Sequence, residues 1–180
     1  MITVVIGALA DLEVEGLVCP IRSDVAPLTV AARDLLARAG DAVEDRLRPM
    51  GALPVGGAFI TPAGPLAASF VIHVVTASEE EAESSMSVQR ALRNGLRRAV
   101  EWELQSLAIP PLGLGVGHMD AEDAARTMVE ILLDHLDEGH APTELTVAVA
   151  TEYEAGVFRQ LVKALSDERP PRRNQDSAAR

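Results

Sequence analysis

Apolar runs of two lengths alternate along this chain, and that alternation constrains the fold more than any single motif does. Short runs rich in β-branched residues fall at Ile2–Ile6, Gly16–Pro20, Gly57–Pro62, Phe70–Thr76, Ser106–Pro110 and Leu145–Ala150. Their length and composition suit strands buried in a sheet. Between them lie longer segments, Thr29–Ala39, Asp41–Arg48, Ser87–Glu103, Asp120–Leu136 and Glu152–Leu165, with apolar residues at helical spacing. The pattern predicts an α/β domain whose sheet is covered by helices on both faces. The seven residues Ala63 to Ser69 are too few for a crossover helix. The strands on either side are therefore expected to run antiparallel, making the sheet mixed.

Helix boundaries are legible as well. Asp120 precedes a repeat of Ala121, Ala124, Met128, Leu132 and Leu136, so its carboxylate can accept from the free N–H groups of the first turn. Thr151 and Glu154 form a capping-box pair ahead of Tyr153, Val157, Leu161 and Leu165. Residues 1–166 read as one domain. Residues 167–180, rich in Arg and Pro and nearly devoid of apolar side chains, read as a disordered tail.

Composition narrows the function. The formal net charge is −11, which disfavours long-range attraction to a nucleic-acid backbone. No run approaches the roughly 18 apolar residues of a membrane helix, and no leader pattern opens the chain, so neither a membrane nor export is expected. The single cysteine, Cys19, excludes an internal disulfide and a thiolate metal cluster, and a cytoplasmic setting fits. No metal or cofactor is called for by ligand spacing. The oligomeric state is left open.

One segment carries chemistry. Ile109-Pro110-Pro111-Leu112-Gly113-Leu114-Gly115-Val116-Gly117-His118 follows a strand pattern and leads into the Asp120 helix. Glycines at alternate positions let peptide N–H groups approach an anion, and a helix N-terminus adds partial positive charge there. The spacing is neither the dinucleotide fingerprint nor a Walker loop.

Several residues have a plain structural reading. His73, inside Phe70–Val75, suits a hydrogen-bonded core histidine, and Cys19 a buried strand thiol. Tyr153 suits the core or a helix staple, and Trp102 packing of a helix on the sheet. Glu79 to Glu83 reads as a solvated lead-in to a helix, and His135 and His140 as neighbours of a helix C-terminus. Arg22 and Asp24 suit a local ion pair, with a phosphate contact and a water-orienting base as the functional alternative.

Taken in order, Gly57-Ala58-Phe59-Ile60-Thr61-Pro62-Ala63-Gly64, then Phe70-Val71-Ile72-His73-Val74-Val75, then Ser106 through Gly117 resembles the macrodomain family. The opening, Ile2 to Gly7 leading to Leu12 through Val18, resembles that family's first two strands. The similarity runs from about Ile2 to Leu165. It implies a three-layer α/β/α fold on a mixed sheet of six to seven strands, with ADP-ribose as ligand. Some relatives hydrolyse ADP-ribosyl or O-acetyl-ADP-ribose linkages.

The departures shape what is expected here. Ala8 stands where many relatives place an acidic residue against adenine, and a lost charge-assisted bond is worth roughly 1.5–3 kcal/mol. Cys19 to Leu28 replaces an Asn-rich segment and a glycine-rich loop, and Arg22 has donors only where Asn has both functions. Leu114 stands in place of Thr or Ser, and Met119 in place of an aromatic. The resemblance thus points to a divergent macrodomain that binds ADP-ribose or a related nucleotide diphosphate without efficient hydrolysis. Its contacts would come from Gly113, Leu114, Gly115, Val116, Gly117, His118, Ile21 and Arg22, with Ala8, Leu9 and Tyr153 on the adenine side. The rival readings are a hydrolase using Asp24, Arg22 or His118, and a pseudo-domain serving protein interaction or oligomerisation.

Overall fold

In the computed structural model, residues 1–114 and 119–169 are described. Six strands form one sheet: β1 (Ile2–Ile6), β2 (Gly16–Arg22), β3 (Ala58–Pro62), β4 (Phe70–Ala77), β5 (Ser106–Ile109) and β6 (Glu144–Val149). Five helices accompany them: α1 (Val30–Ala39), α2 (Asp41–Leu47), α3 (Ser85–Glu101), α4 (Ala121–Asp137) and α5 (Glu152–Asp167). The strand order is β1-β6-β5-β2-β4-β3. All neighbours are parallel except β3 and β4, where Phe59 faces His73 in an antiparallel register. The seven-residue connection from Ala63 to Ser69 leaves no other option.

Period-two alternation sends side chains to two separate cores. Ile72 and Val74 of β4, with Val18 of β2, join the layer under α3, α4 and α5. Val71 and Val75, with Leu17, Cys19 and Ile21, join the layer under α1 and α2. Helices thus cover both faces, giving three layers. In α5 the buried stripe is Ala155, Phe158 and Leu161 rather than the Tyr153–Val157–Leu161 line expected from spacing. Tyr153 is consequently 71% exposed, not a core residue.

Both margins of the sheet carry an arginine from the covering helix. Arg159 of α5 donates to the Val4 carbonyl of β1 at 3.4 Å, and Arg98 of α3 donates to the Ala58 carbonyl of β3 at 3.1 Å. Trp102 ends α3 half exposed and tilts against Phe70 with ring centroids 5.0 Å apart. None of the helices among the described residues is long and apolar enough to cross a membrane.

Candidate functional site

Adjacent strands β5 and β2 feed helices on opposite faces of the sheet, because α4 packs in the layer with α3 and α5 while α1 packs on the other side. Such a reversal leaves a crevice beyond the carboxyl ends of the strands, where open α/β sheets bind ligands. Pairing between the two strands is confined to Gly16 with Leu107 and Leu17 with Ala108. Beyond that point β2 continues to Arg22 paired with β4 alone. The connections after β5 and after β2 therefore border the same opening, and both were expected from sequence to hold site residues.

On the β5 side, Leu112 is buried and its N–H points at the Met128 Sδ, 3.1 Å away. Gly113 follows with φ +88°, a conformation that residues with a Cβ rarely adopt. A Cβ placed on it would lie 2.7 Å from the Met119 sulfur, so this backbone can be crossed closely only because the residue is glycine. Leu114 is half-buried. Gly115, Val116, Gly117 and His118 lie outside the described residues. The chain resumes at Met119 and caps α4 with Asp120, whose Oδ1 accepts from the Asp123 N–H at 2.8 Å. Glu122 and Asp123 share that first turn, so three carboxylates offset the positive end of this helix.

On the β2 side the connection closes on itself. The Arg22 N–H donates to Ala26 O at 2.8 Å, Ser23 N–H to Ala77 O at 2.9 Å, Val25 N–H to Arg22 O at 2.8 Å, and Leu28 N–H to Pro20 O at 3.2 Å. The Ala26 N–H donates to Asp24 Oδ1 at 3.2 Å. These peptide donors are all engaged within the protein and cannot also cradle a phosphate. Val25 holds φ +73°, the backbone of a glycine carried by a β-branched residue. Leu28 and Ile21 are buried beneath the loop.

Arg22 and Asp24 form a fork-to-fork pair on the loop surface, with Nε on Oδ1 at 2.9 Å and Nη2 on Oδ2. The Arg22 hydrogen bond holds the Asp24 carboxyl down at about 2 against the opposing effect of burial, and Arg22 is raised by the same bond. An aspartate held this low is a poor proton acceptor near neutral pH. At the far side of the opening Ala8 is exposed, Leu9 turns into the α1 core, and Tyr153 stands in solvent on the first turn of α5.

A cavity of about 790 Å³ lies beside β2 on the β4 side, lined by the loop from Ser23 to Pro27, by Arg48, and by Ser78. Asp24, Glu44, Glu79 and Glu80 also line it, which makes it unfavourable for a dianion. No local motif announces this cavity, since Glu44 and Glu79 are brought to its wall only by the fold. Glu83, expected in solvent with its neighbours, is instead buried and accepts from Thr76 Oγ1. It begins the descent of the chain from the end of β4 into α3.

Three buried titratable side chains, Cys19, His73 and His135, have structural settings. Cys19 is fully buried and its thiol is pushed up by desolvation, which removes nucleophilic character. His73 is buried beside Thr61, with Nε2 and Oγ1 2.9 Å apart, and burial pushes it down to about 3. His135 shares a hydrogen bond with the Pro142 carbonyl at 3.0 Å and is lowered by burial. Among the described residues no three His, Cys, Asp or Glu side chains are grouped to hold a metal ion.

Comparison with known proteins agrees with this architecture. The Macro domain family model matches residues 29–128. An uncharacterized protein of Sulfurisphaera tokodaii is 26% identical over 162 residues, covering 88% of each chain. An uncharacterized protein of Aquifex aeolicus is 34% identical over 130 residues, covering 72% of this chain and 79% of its own. Among solved structures, a single-residue variant of the Oceanobacillus iheyensis macrodomain with ADPR superposes with a TM-score of 0.82 at 18% identity, covering 91% of this chain and 92% of that one. The Trypanosoma brucei macrodomain in complex with ADP gives 0.80 at 18% identity, covering 89% of this chain and 68% of that one. With the overall fold and the match across its central hundred residues in agreement, this chain belongs to the Macro domain family.

Proposed function

We propose that this macrodomain binds ADP-ribose or a related nucleotide diphosphate at the opening between β5 and β2, as a recognition module rather than an efficient hydrolase. The observation that carries the reading is Gly113, whose φ of +88° just past the end of β5, at the switch point, is a backbone turn that glycine adopts freely. The diphosphate is held by peptide N–H groups of the segment from Leu114 to His118. Arg22 is a secondary anion contact, and Ala8 and Tyr153 flank the base. The solved macrodomains with ADPR and with ADP support this ligand class.

The β2 loop supports recognition over turnover. Its peptide donors are internally engaged and its carboxylate is clamped by Arg22, so no described group there is poised to activate water. The acidic cavity next to it favours seating the diphosphate on the β5 side of β2. Calorimetric titration with ADP-ribose tests the reading. Saturable heat with no ADP-ribose released from an ADP-ribosylated protein or from O-acetyl-ADP-ribose agrees with it. Absence of heat at millimolar ligand, with the fold confirmed by circular dichroism, removes the binding claim. Turnover that is lost on Asp24→Ala replaces the recognition reading with the hydrolase.

A further inference from the structure

On the outer face of the molecule, away from the crevice, α3 and α4 enclose a groove of about 400 Å³. Its floor is apolar, made by Leu96 and Val100 of α3 and Ile131 of α4. Two guanidinium groups, Arg93 and Arg97, stand on its α3 wall, and Glu138 is the one carboxylate among its lining residues. That is a local inversion of sign in a chain with 27 acidic and 16 basic residues.

The arginines are unequally committed. Arg93 reaches Asp134 at 3.3 Å, but Asp134 is already held by Arg169 at 2.8 Å. Arg97 is 67% exposed and its closest carboxylate oxygen, on Glu101, is 3.9 Å away, beyond hydrogen-bond range. Glu101 is instead gripped by Arg98 at 2.6 Å. Arg97 is therefore a guanidinium with a loose ion pair to Glu101 and no hydrogen bond from its donors among the described residues, held one helical turn from Val100 and next to Leu96. A fork of donors above an apolar floor matches a carboxylate on an apolar body.

We propose that this groove is a second binding site, for a small monocarboxylate with an apolar chain or ring, which lays its hydrocarbon on Leu96, Val100 and Ile131 and its carboxylate on Arg97. Octanoate is the probe, with octylamine, of the same chain and opposite charge, and acetate, of the same charge and no chain, as comparators. Amide chemical shifts followed by NMR on the full chain should move along α3 and α4 with octanoate and saturate. The affinity should exceed that for either comparator at least tenfold. Arg97→Glu should weaken octanoate at least tenfold, and Arg97→Gln, at an exposed position, provides the same test if the charge reversal fails to fold. The proposal is overturned if octylamine binds as well as octanoate, if the shifts map elsewhere or do not saturate, or if the folded variant binds as the parent does.

Discussion

Asp24 is bound to Arg22 through both carboxylate oxygens, two residues apart on a loop that turns back onto its own strand. The pairing takes the most plausible catalytic carboxylate out of proton chemistry. With its acid form confined to strongly acidic solution, near a value of about 2, Asp24 stays ionised throughout the neutral range. The side-chain carboxyl carbon of Asp24, followed by NMR, is expected to show no titration between pH 4 and 9, and ADP-ribose affinity is expected to show no inflection from this group. Asp24→Ala should change that affinity by less than about threefold, since surface ion pairs of this kind contribute little.

Gly113 should be the least replaceable described residue of the β5 loop. At φ +88° an alanine carries a left-handed penalty of about 1–2 kcal/mol, and its methyl must also displace the Met119 sulfur. Gly113→Ala is expected to lower the melting temperature by several degrees and to weaken ADP-ribose binding at least tenfold. Paired melting and titration curves check both.

Val25 should invert the usual ranking of glycine and alanine. At an ordinary site glycine is the less stable, by roughly 0.5–1 kcal/mol. With φ at +73°, alanine keeps the strain and loses the partly buried isopropyl contact, whereas glycine removes the strain. Val25→Gly is therefore expected to be the more stable of the two by about 1 kcal/mol in urea unfolding.

His73 sets an acid limit on stability. It is buried neutral, lowered to about 3, while the unfolded chain binds its proton near 6.5. The unfolded state therefore holds more protons between those values, and stability falls as pH drops through that window by about 1.4 kcal/mol per unit from this group alone. Its Nδ1 has no hydrogen-bond partner among the described residues, so nothing compensates a charge there. Urea unfolding at several pH values from 4 to 7 should give a slope shallower by about one proton in His73→Gln than in the parent, whatever the absolute stability of the variant.

Much of the fold was legible because its elements carry the right local signals. Thr151 with Glu154 and Asp120 with Asp123 form the caps that their sequence announces, and the short link after Pro62 forces the antiparallel pair. Other features depend on tertiary context. The apolar run predicts a strand ending at Pro20, yet β2 continues to Arg22. Pro20 is tolerated because its carbonyl, and with it the position of its missing N–H, faces Leu28 rather than a partner strand, β5 having already left the ladder. Helical spacing suits Tyr153 to the core or a helix staple, but Phe158 occupies the centre of the buried stripe and the tyrosine faces outward.

In the site, the Arg22–Asp24 pair could be anticipated from two opposite charges flanking one serine. That the neighbouring N–H groups would all be consumed by Ala26, Ala77, Arg22 and Pro20 could not be. Three of the acceptors lie within residues 20–26 and the fourth, Ala77, on β4, and only folding of the loop back onto its strand brings donors and acceptors together. The same holds for the groove beside Arg97, whose floor is shared by two helices far apart in sequence.

The guanidinium groups at Val4 and Ala58 have a colloidal consequence. A lateral strand from another molecule could dock on either border only by first evicting a charged side chain from a peptide oxygen, and would then leave that cation stranded against an incoming backbone. Removing both arginines should increase fibrillar association on prolonged storage relative to the parent, visible as a rise in thioflavin fluorescence.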